Sequence, residues 1–311
     1  MMPALHRVVV GTRGSTLALR QTEAIVSALR RVWPDLEVAI ETIHVTSDRF
    51  PDEDFGRLPG IGFFVKELEV ALLEGRIDVA VHSMKDLPAA GSGRLHVAAI
   101  PEREDPRDVI ISRDGRGLFD LRPGARVGTS SPRRAAFLRA ARADLHLVPI
   151  RGNVETRVGK MDAGEIDAVC LAWAGLRRIG LEARVSGVLP VDVMLPAAGQ
   201  GALGVQVREG AAVAEIVRAL DHPATRAAVT AERAMLHRLE GGCRLPAGAH
   251  AALEGRRLSL TGAVVSADGS TSVRGSRAGT VEQAAQMGRE LADELLGRGA
   301  SALLPVEGAP R

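Results

Sequence analysis

Two stretches of this chain, ELEVALLEGRIDVAVHSMKD and RVGKMDAGEIDAVCLAWAG, run in the same order: a helical pattern, a glycine stop, Ile-Asp, then an apolar strand. Asp78 and Asp167 are counterparts in this repeat. A second device also occurs twice. Val8 to Gly11 reads as a short buried strand, followed by the turn GTRGS and by TLALRQTEAIVSALRRV, whose apolar residues recur at helical spacing. ARVGTSSPRRAAFLRAA repeats strand, turn and helix, with Pro132 in the first helical turn, where proline is tolerated. Strands alternating with helices predict mostly parallel sheets, and the repetition predicts two related α/β domains of roughly 100 residues each. In such folds ligands gather at the carboxyl ends of strands and the amino ends of helices. VHSMKDLP, RGST, TSSPRR and RGNVETR all fall there.

The pattern changes near Thr225. TRAAVTAERAMLHRLEGG reads as a helix with a Gly-Gly stop, followed by the short strands AHAALEG, RLSLTGAVVS and TSVRGSR and by a last helix, VEQAAQMGRELADELLGRG. Ala267-Asp268-Gly269, between alternating runs, predicts a hairpin. AAGQGALGVQVR predicts a glycine-rich turn and a strand that returns the chain to the first domain. The expected organisation is therefore domain 1 over 1–101 and 202–220, domain 2 over 102–201, and a small α+β domain 3 over 224–311. Asp48 to Gly62, DRFPDEDFGRLPGIG, reads as a long loop, either a lid or a surface excursion.

With 46% apolar and 25% charged residues, the chain is of the ordinary globular class. No apolar run reaches the roughly 18 residues that span a bilayer, and MMPALHRVVVG lacks a signal-peptide core, so a cytoplasmic location without a membrane partner is expected. Cys170 and Cys243 are too few for a disulfide framework or, by themselves, a zinc site, and no metal is expected. The net charge is only +2, yet Arg122 to Lys160 holds nine basic residues against Asp144 and Glu155, a local balance of +7 that calls for an anionic ligand. Nucleic acid is a poor fit, because the chain has no tyrosine and Phe137 is the segment's only aromatic residue. Only Lys66, Lys85 and Lys160 are lysines, so arginine is also simply the habitual cation here.

Several groups could carry chemistry. Cys243 follows a Gly-Gly stop and adjoins Arg244, a setting that favours an accessible thiolate, whereas Cys170 lies in an apolar run and reads as a buried small hydrophobe. Asp86, beside Lys85 at a strand's end, is either a turn cap or a carboxylate that stabilises a cation and passes protons. His82 is either a structural partner or a base. Arg133 and Arg134 open a helix and so oppose its dipole, a conflict that a bound carboxylate or phosphate removes. Arg151, Asn153 and Arg157 add donors nearby. No GxxxxGK followed by Ser or Thr, no HExxH and no strand-linked GxGxxG occurs, so nucleotide and metal readings are weak.

VHSMKDLP, EREDPRD (Glu102 to Asp108), GTSSPRR, RGNVETR, LPAAGQGALG and LEGGCRLPAG, in this order and spacing, make the chain resemble the porphobilinogen deaminases, also called hydroxymethylbilane synthases. The resemblance runs from about Val8 to the carboxyl terminus. It implies two periplasmic-binding-protein-like α/β domains with a cleft between them and a small α+β third domain. It further implies a dipyrromethane cofactor joined to Cys243 through a thioether, and porphobilinogen as substrate of a monomeric enzyme without nucleic-acid or membrane partners. Each pyrrole brings carboxylates, so the +7 segment gains a specific ligand.

By motif position, the resemblance assigns Ser83, Lys85, Asp86, Ser131, Arg133, Arg134 and Arg157 to the cofactor. It assigns Arg13, Ser15, Gln21, Arg151, Asn153, Arg157, Arg178 and Gln200 to the substrate. Asp86, aided by Lys85, falls on the catalytic aspartate, whose implied role is to stabilise positive charge as ammonia leaves and to assist proton transfer. Two positions depart from the family pattern. Ile61 stands where lysine is frequent, which removes a lid cation that Arg57 could replace, and Pro132 stands where leucine is usual, preserving the helix start while removing one amide donor. Two rivals use fewer of these residues: a non-enzymatic two-domain anion-binding protein has no need of Cys243 or the third domain, and a cysteine-dependent hydrolase or transferase needs Cys243 as a free thiol.

Overall fold

The computed structural model describes residues 5–43, 65–88, 93–239 and 245–304. The chain forms two compact units, Met1–Glu104 with Ala202–Arg226, and Asp105–Gly201 with Ala227–Arg311. The 48–62 loop and Cys243 lie outside the described residues.

The first unit is built on strands β1 (Arg7–Arg13), β2 (Glu37–Ile43), β3 (Val79–Ser83), β4 (Leu95–Ala99) and β10 (Leu203–Arg208), in the sheet order β2-β1-β3-β10-β4. Helix α1 (Thr16–Val32) follows β1 and α2 (Lys66–Leu73) precedes β3. Ser15 caps α1 by accepting from the Ala18 amide at 3.4 Å, and Arg30 and Arg31 in its last turn complement the dipole. Its buried residues, Gln21, Thr22, Ile25, Val26 and Leu29, recur at the helical period, and the last three share a core with Val8, Val10, Val79 and Val205.

The second unit repeats this sheet. Strands β5 (Asp108–Ser112), β6 (Arg126–Gly128), β7 (His146–Val148), β8 (Ala168–Ala172) and β9 (Gly187–Val188) lie in the order β7-β6-β8-β5-β9. Helices α3 (Pro132–Ala141) and α4 (Val154–Asp162) join its parallel strands, and α5 (Trp173–Arg178) follows β8. In each sheet four strands run the same way and the fourth in order, β10 or β5, runs antiparallel to both its neighbours. The expectation of mostly parallel sheets therefore holds, with β10 and β5 as the exceptions, whose nearly continuous burial reads alike in either direction. As the sequence predicts, the strand after the glycine-rich turn joins the first sheet, between β3 and β4.

The repeated Ile-Asp has the same task twice. The Asp78 carboxylate accepts from the Val9 amide at 2.9 Å and that of Asp167 from the Arg126 amide at 2.7 Å, each tying the start of one strand to its parallel neighbour. A Cβ on Gly11 would collide with Cδ1 of Ile77, and one on Gly128 would lie 2.6 Å from Cδ1 of Ile166. The isoleucine before each aspartate thus fills the space that the glycine leaves open.

The rest of the second unit is an antiparallel sheet of β11 (Ala247–Glu254), β12 (Arg257–Val265) and β13 (Ser272–Gly279), with α8 (Ala284–Gly297) and the carboxyl half of α7 (Pro223–Arg238) packed on it. The expected hairpin connects β12 to β13, with Gly269 at φ +80°. Helix α6 (Val213–Arg218) completes the first unit's core.

Candidate active site

Strand β3 is buried until Ser83, and a single 3₁₀ turn, Met84–Asp86, follows it. Met84 and Leu87 point inward and are buried, so the residues between them, Lys85 and Asp86, are left half-exposed. The Met84 amide donates to the Ala202 carbonyl at 3.0 Å, tying the turn to the entry of β10. Ser83 is held from α1, where the buried Gln21 donates Nε2 to its Oγ at 2.9 Å. Asp86 differs from these neighbours: among the described residues, no hydrogen bond or ion pair engages its carboxylate. It caps no helix, which removes the structural alternative that its sequence context left open.

His82 is structural. It is 4% exposed, and its Nε2 lies 3.0 Å from Oε1 of Gln206, whose Nε2 donates to Glu69 Oε1 at 3.0 Å. Because Gln206 uses its amide hydrogens on Glu69, its oxygen accepts and the imidazole carries its proton on Nε2. Burial, helped by the charge of Arg13, lowers the His82 pKa to about 4 against the pull of this hydrogen bond. The side chain is neutral at pH 7. Arg13 ends β1, half-buried, and Ser15 is committed to capping α1.

In the second unit, Ser131 caps α3 through the Arg134 amide at 3.3 Å, and Pro132 takes the first helical position as expected. Arg133 and Arg134 are only 4% and 7% exposed, and both face the fully buried Asp108. Arg133 donates Nη1 to Oδ2 at 2.7 Å, while Arg134 donates Nε and Nη2 to Oδ1 at 3.0 and 2.8 Å. Gln200, also buried, donates Nε2 to the same Oδ1 at 3.0 Å and to the Pro106 carbonyl at 2.7 Å. Burial pushes the Asp108 carboxyl up, but the two guanidiniums outweigh it and hold the group well below the usual carboxylate range. The anion that this helix start calls for is therefore first of all a residue of the chain itself. Two guanidiniums meet one carboxylate there, so the three side chains together are net positive.

Asn153 caps α4, accepting from the Thr156 amide at 2.8 Å, and Arg157 is steered by its Nε bond to the Gly152 carbonyl at 2.9 Å. Arg151 sits half-buried before that helix, and Arg178 at the end of α5 donates Nη2 to the Gly201 carbonyl at 2.6 Å. Sequence reasoning missed Asp108, although EREDPRD was singled out as a motif. It also missed Trp173, which starts α5 at the place where the first sheet has Met84 and carries Arg107 5.0 Å and Arg177 5.9 Å from its ring centre. Cys170 is buried, and its thiol is pushed up to about 12 by that burial, as its apolar context predicts.

Among the described residues, no cluster of His, Cys, Asp and Glu could hold a metal, and no helix is long and apolar enough to cross a membrane. Residues 8–215 match the family model described as porphobilinogen deaminase, dipyromethane cofactor binding domain, and residues 226–297 match that of the porphobilinogen deaminase C-terminal domain. The chain is 47% identical over 296 residues to the porphobilinogen deaminase of Syntrophobacter fumaroxidans, covering 95% of this chain and 96% of that one. It is 48% identical over 300 residues to that of Roseiflexus castenholzii, covering 96% and 99%. Among solved structures, a substrate-binding domain of a putative amino acid transporter from Streptococcus pneumoniae aligns with 68% of this chain and 90% of its own, at 14% identity and a TM-score of 0.44.

Proposed function

The chain belongs to the porphobilinogen deaminase family, and from that premise we propose that Asp86 is its catalytic residue, with Lys85 as its aid. The enzyme condenses four porphobilinogen molecules head to tail, releasing ammonia and then hydroxymethylbilane, in tetrapyrrole biosynthesis. Its bound dipyrromethane supplies the primer for that condensation. The observation that carries the assignment is the uncommitted Asp86 carboxylate in a turn whose neighbours are held from β10 and α1. It stabilises the positive charge that develops on a substrate pyrrole as the aminomethyl nitrogen leaves, and assists the accompanying proton transfer.

Cys243 is the covalent anchor of the cofactor in this reading. Arg133 and Arg134, with one negative charge from Asp108 against their two, hold a cofactor carboxylate, and Ser83, Ser131 and Arg157 help to place the cofactor. Substrate carboxylates fall to Arg13, Ser15, Gln21, Arg151, Asn153, Arg157 and Arg178. The burial of Gln200 and its bonds to Asp108 and Pro106 support a role behind the arginines in place of direct substrate contact. The chain works as three domains, 1–101 with 202–220, 102–201 and 224–311, a division supported by the two separate sheets within the second unit. A cytoplasmic monomer without nucleic-acid or membrane partners completes the reading. The scarcity of cysteine supports the compartment.

Asp86→Asn tests the assignment. The variant should fold and carry the cofactor by intact mass, yet lose turnover by about 10²- to 10⁴-fold. Near-normal turnover sinks it. Cys243→Ser should appear at its bare sequence mass when purified from cells that make porphobilinogen; a persisting cofactor mass removes the anchor.

A further inference from the structure

The segment Leu195–Gln200 is gripped from two directions within the second unit. On one side the small antiparallel sheet holds it. The Ala249 amide donates to the Pro196 carbonyl at 2.9 Å, and Gly248 packs so closely on Leu195 that a Cβ there would lie 2.6 Å from the Leu195 oxygen. Glu232 on α7, with no exposed surface, then joins the two parts: one carboxylate oxygen accepts from the Gly199 amide at 2.7 Å and the other from the Ala251 amide at 2.8 Å. On the other side the same segment supports the arginine pair. The Leu195 carbonyl accepts from Arg133 at 2.6 Å, and Gln200 reaches Asp108 at 3.0 Å. Gly199 and Gly201 both adopt positive φ, at +75° and +87°, a backbone that turns the chain sharply on either side of Gln200.

A buried carboxylate that serves two backbone amides is an expensive way to close a loop, because leaving water is unfavourable for the charge and a neutral side chain could satisfy a single amide. What the charge supplies is geometry, two strong bonds from one group to two parts of the chain. The sequence places Cys243 between the end of α7 at Arg238 and the start of β11 at Ala247, the two elements that Glu232 connects. We propose that Glu232 is a positioning residue: through Leu195–Gln200 and Asp108 it fixes the arginine pair relative to the elements that carry the anchoring cysteine. A tethered cofactor has one fixed end, so its carboxylates meet the arginines only if that separation is held. The inference rests on the reading of Cys243 as anchor and of Arg133 and Arg134 as carboxylate partners.

The test uses full-length Glu232→Gln, Gln200→Leu, the double variant and Arg134→Leu, each purified from cells that make porphobilinogen. Intact mass gives the loaded fraction, and thermal unfolding the stability. Glu232→Gln and Gln200→Leu should each raise the ratio of unloaded to loaded chains about tenfold, and the double variant should be no worse than the poorer single one, since both cut one path. In their loaded fractions kcat should fall while KM stays near that of the parent, because the arginine pair places the cofactor and the substrate's own partners are untouched. If Glu232→Gln fails to fold, Gln200→Leu, which leaves Glu232 and its amides intact, bears the same expectation. Full loading of the folded single variants, or defects that add in the double, overturns the proposal while impaired Arg134→Leu upholds the site. Full loading of Arg134→Leu overturns the reading of the arginine pair and the proposal with it.

Discussion

Strands β3 and β8 occupy the same place in two sheets of the same order, end a parallel trio in the same register, and are buried over the same four residues. Each follows an Ile-Asp whose carboxylate clasps the neighbouring strand. Beyond their last residues they part. After β3 comes a tight turn with the half-exposed Lys85 and Asp86, the latter bound to nothing among the described residues; after β8 comes Trp173, with Arg107 and Arg177 near its ring. One scaffold therefore tolerates either ending, and the fold itself does not require a carboxylate there. The second unit has its own special carboxylate, Asp108, but it is wholly buried and saturated with donors. The contrast separates a carboxylate held ready for a reaction from one spent on holding other side chains.

Neutralising each carboxylate breaks the comparison most directly. Asp108→Asn leaves two buried guanidiniums facing an amide, and should lower unfolding free energy by about 3–5 kcal/mol, read by urea denaturation. Asp86→Asn, with no partner to strand, should shift the same curve by about 0.5 kcal/mol or less while turnover collapses. If the two variants are equally destabilised, the distinction between them is gone.

The next effect concerns His82, whose counterpart in β8 is the apolar Leu171. Its folded pKa of about 4 lies below the unfolded value of 6.5, so the unfolded chain binds the proton more readily. The stability involved is present above pH 6.5 and is lost as the pH falls from there toward 4. It amounts to roughly 3 kcal/mol between neutral pH and the folded value. Asp108, depressed below the ordinary carboxylate range, keeps its contribution throughout that window and loses it only at lower pH. His82→Gln, which cannot take the proton, should flatten the stability profile between pH 7 and pH 4 in urea titrations; an unchanged slope would mean that other groups govern it.

What could be read from the sequence was whatever recurs locally. Helix periods, Pro132 in the first turn of α3, the Ile-Asp repeat and the Asp268-Gly269 hairpin depend on residues a few positions apart, and the structure has each. The reversal of β5 and β10 was not legible, because nearly continuous burial reads alike in either direction. Nor were the partners of the polar groups. Asp108 stands 25 residues from Arg133 and 92 from Gln200, and His82 stands 124 from Gln206, so these bonds follow from sheet order alone. The position of Asp86 was legible from its motif, whereas its lack of a structural partner was not, since a cap and a free carboxylate look identical in sequence.

The glycine pair offers the finest test of how equal the two scaffolds are. Gly11→Ala and Gly128→Ala each drive a methyl group into the isoleucine of the neighbouring parallel strand's Ile-Asp, Ile77 in one unit and Ile166 in the other. Overpacking of this kind should remove about 1–3 kcal/mol in each case. In both, the nearest atom is Cδ1 of the isoleucine, which valine lacks, so Ile77→Val and Ile166→Val should each recover part of the loss in their own unit and nothing in the other. Denaturation of the four singles and the matched and crossed doubles measures this. Rescue by the matched valine in both units would mean that the repeat extends to the packing of single methyl groups; rescue in one alone would confine it to backbone topology, with each core repacked around its own strand end.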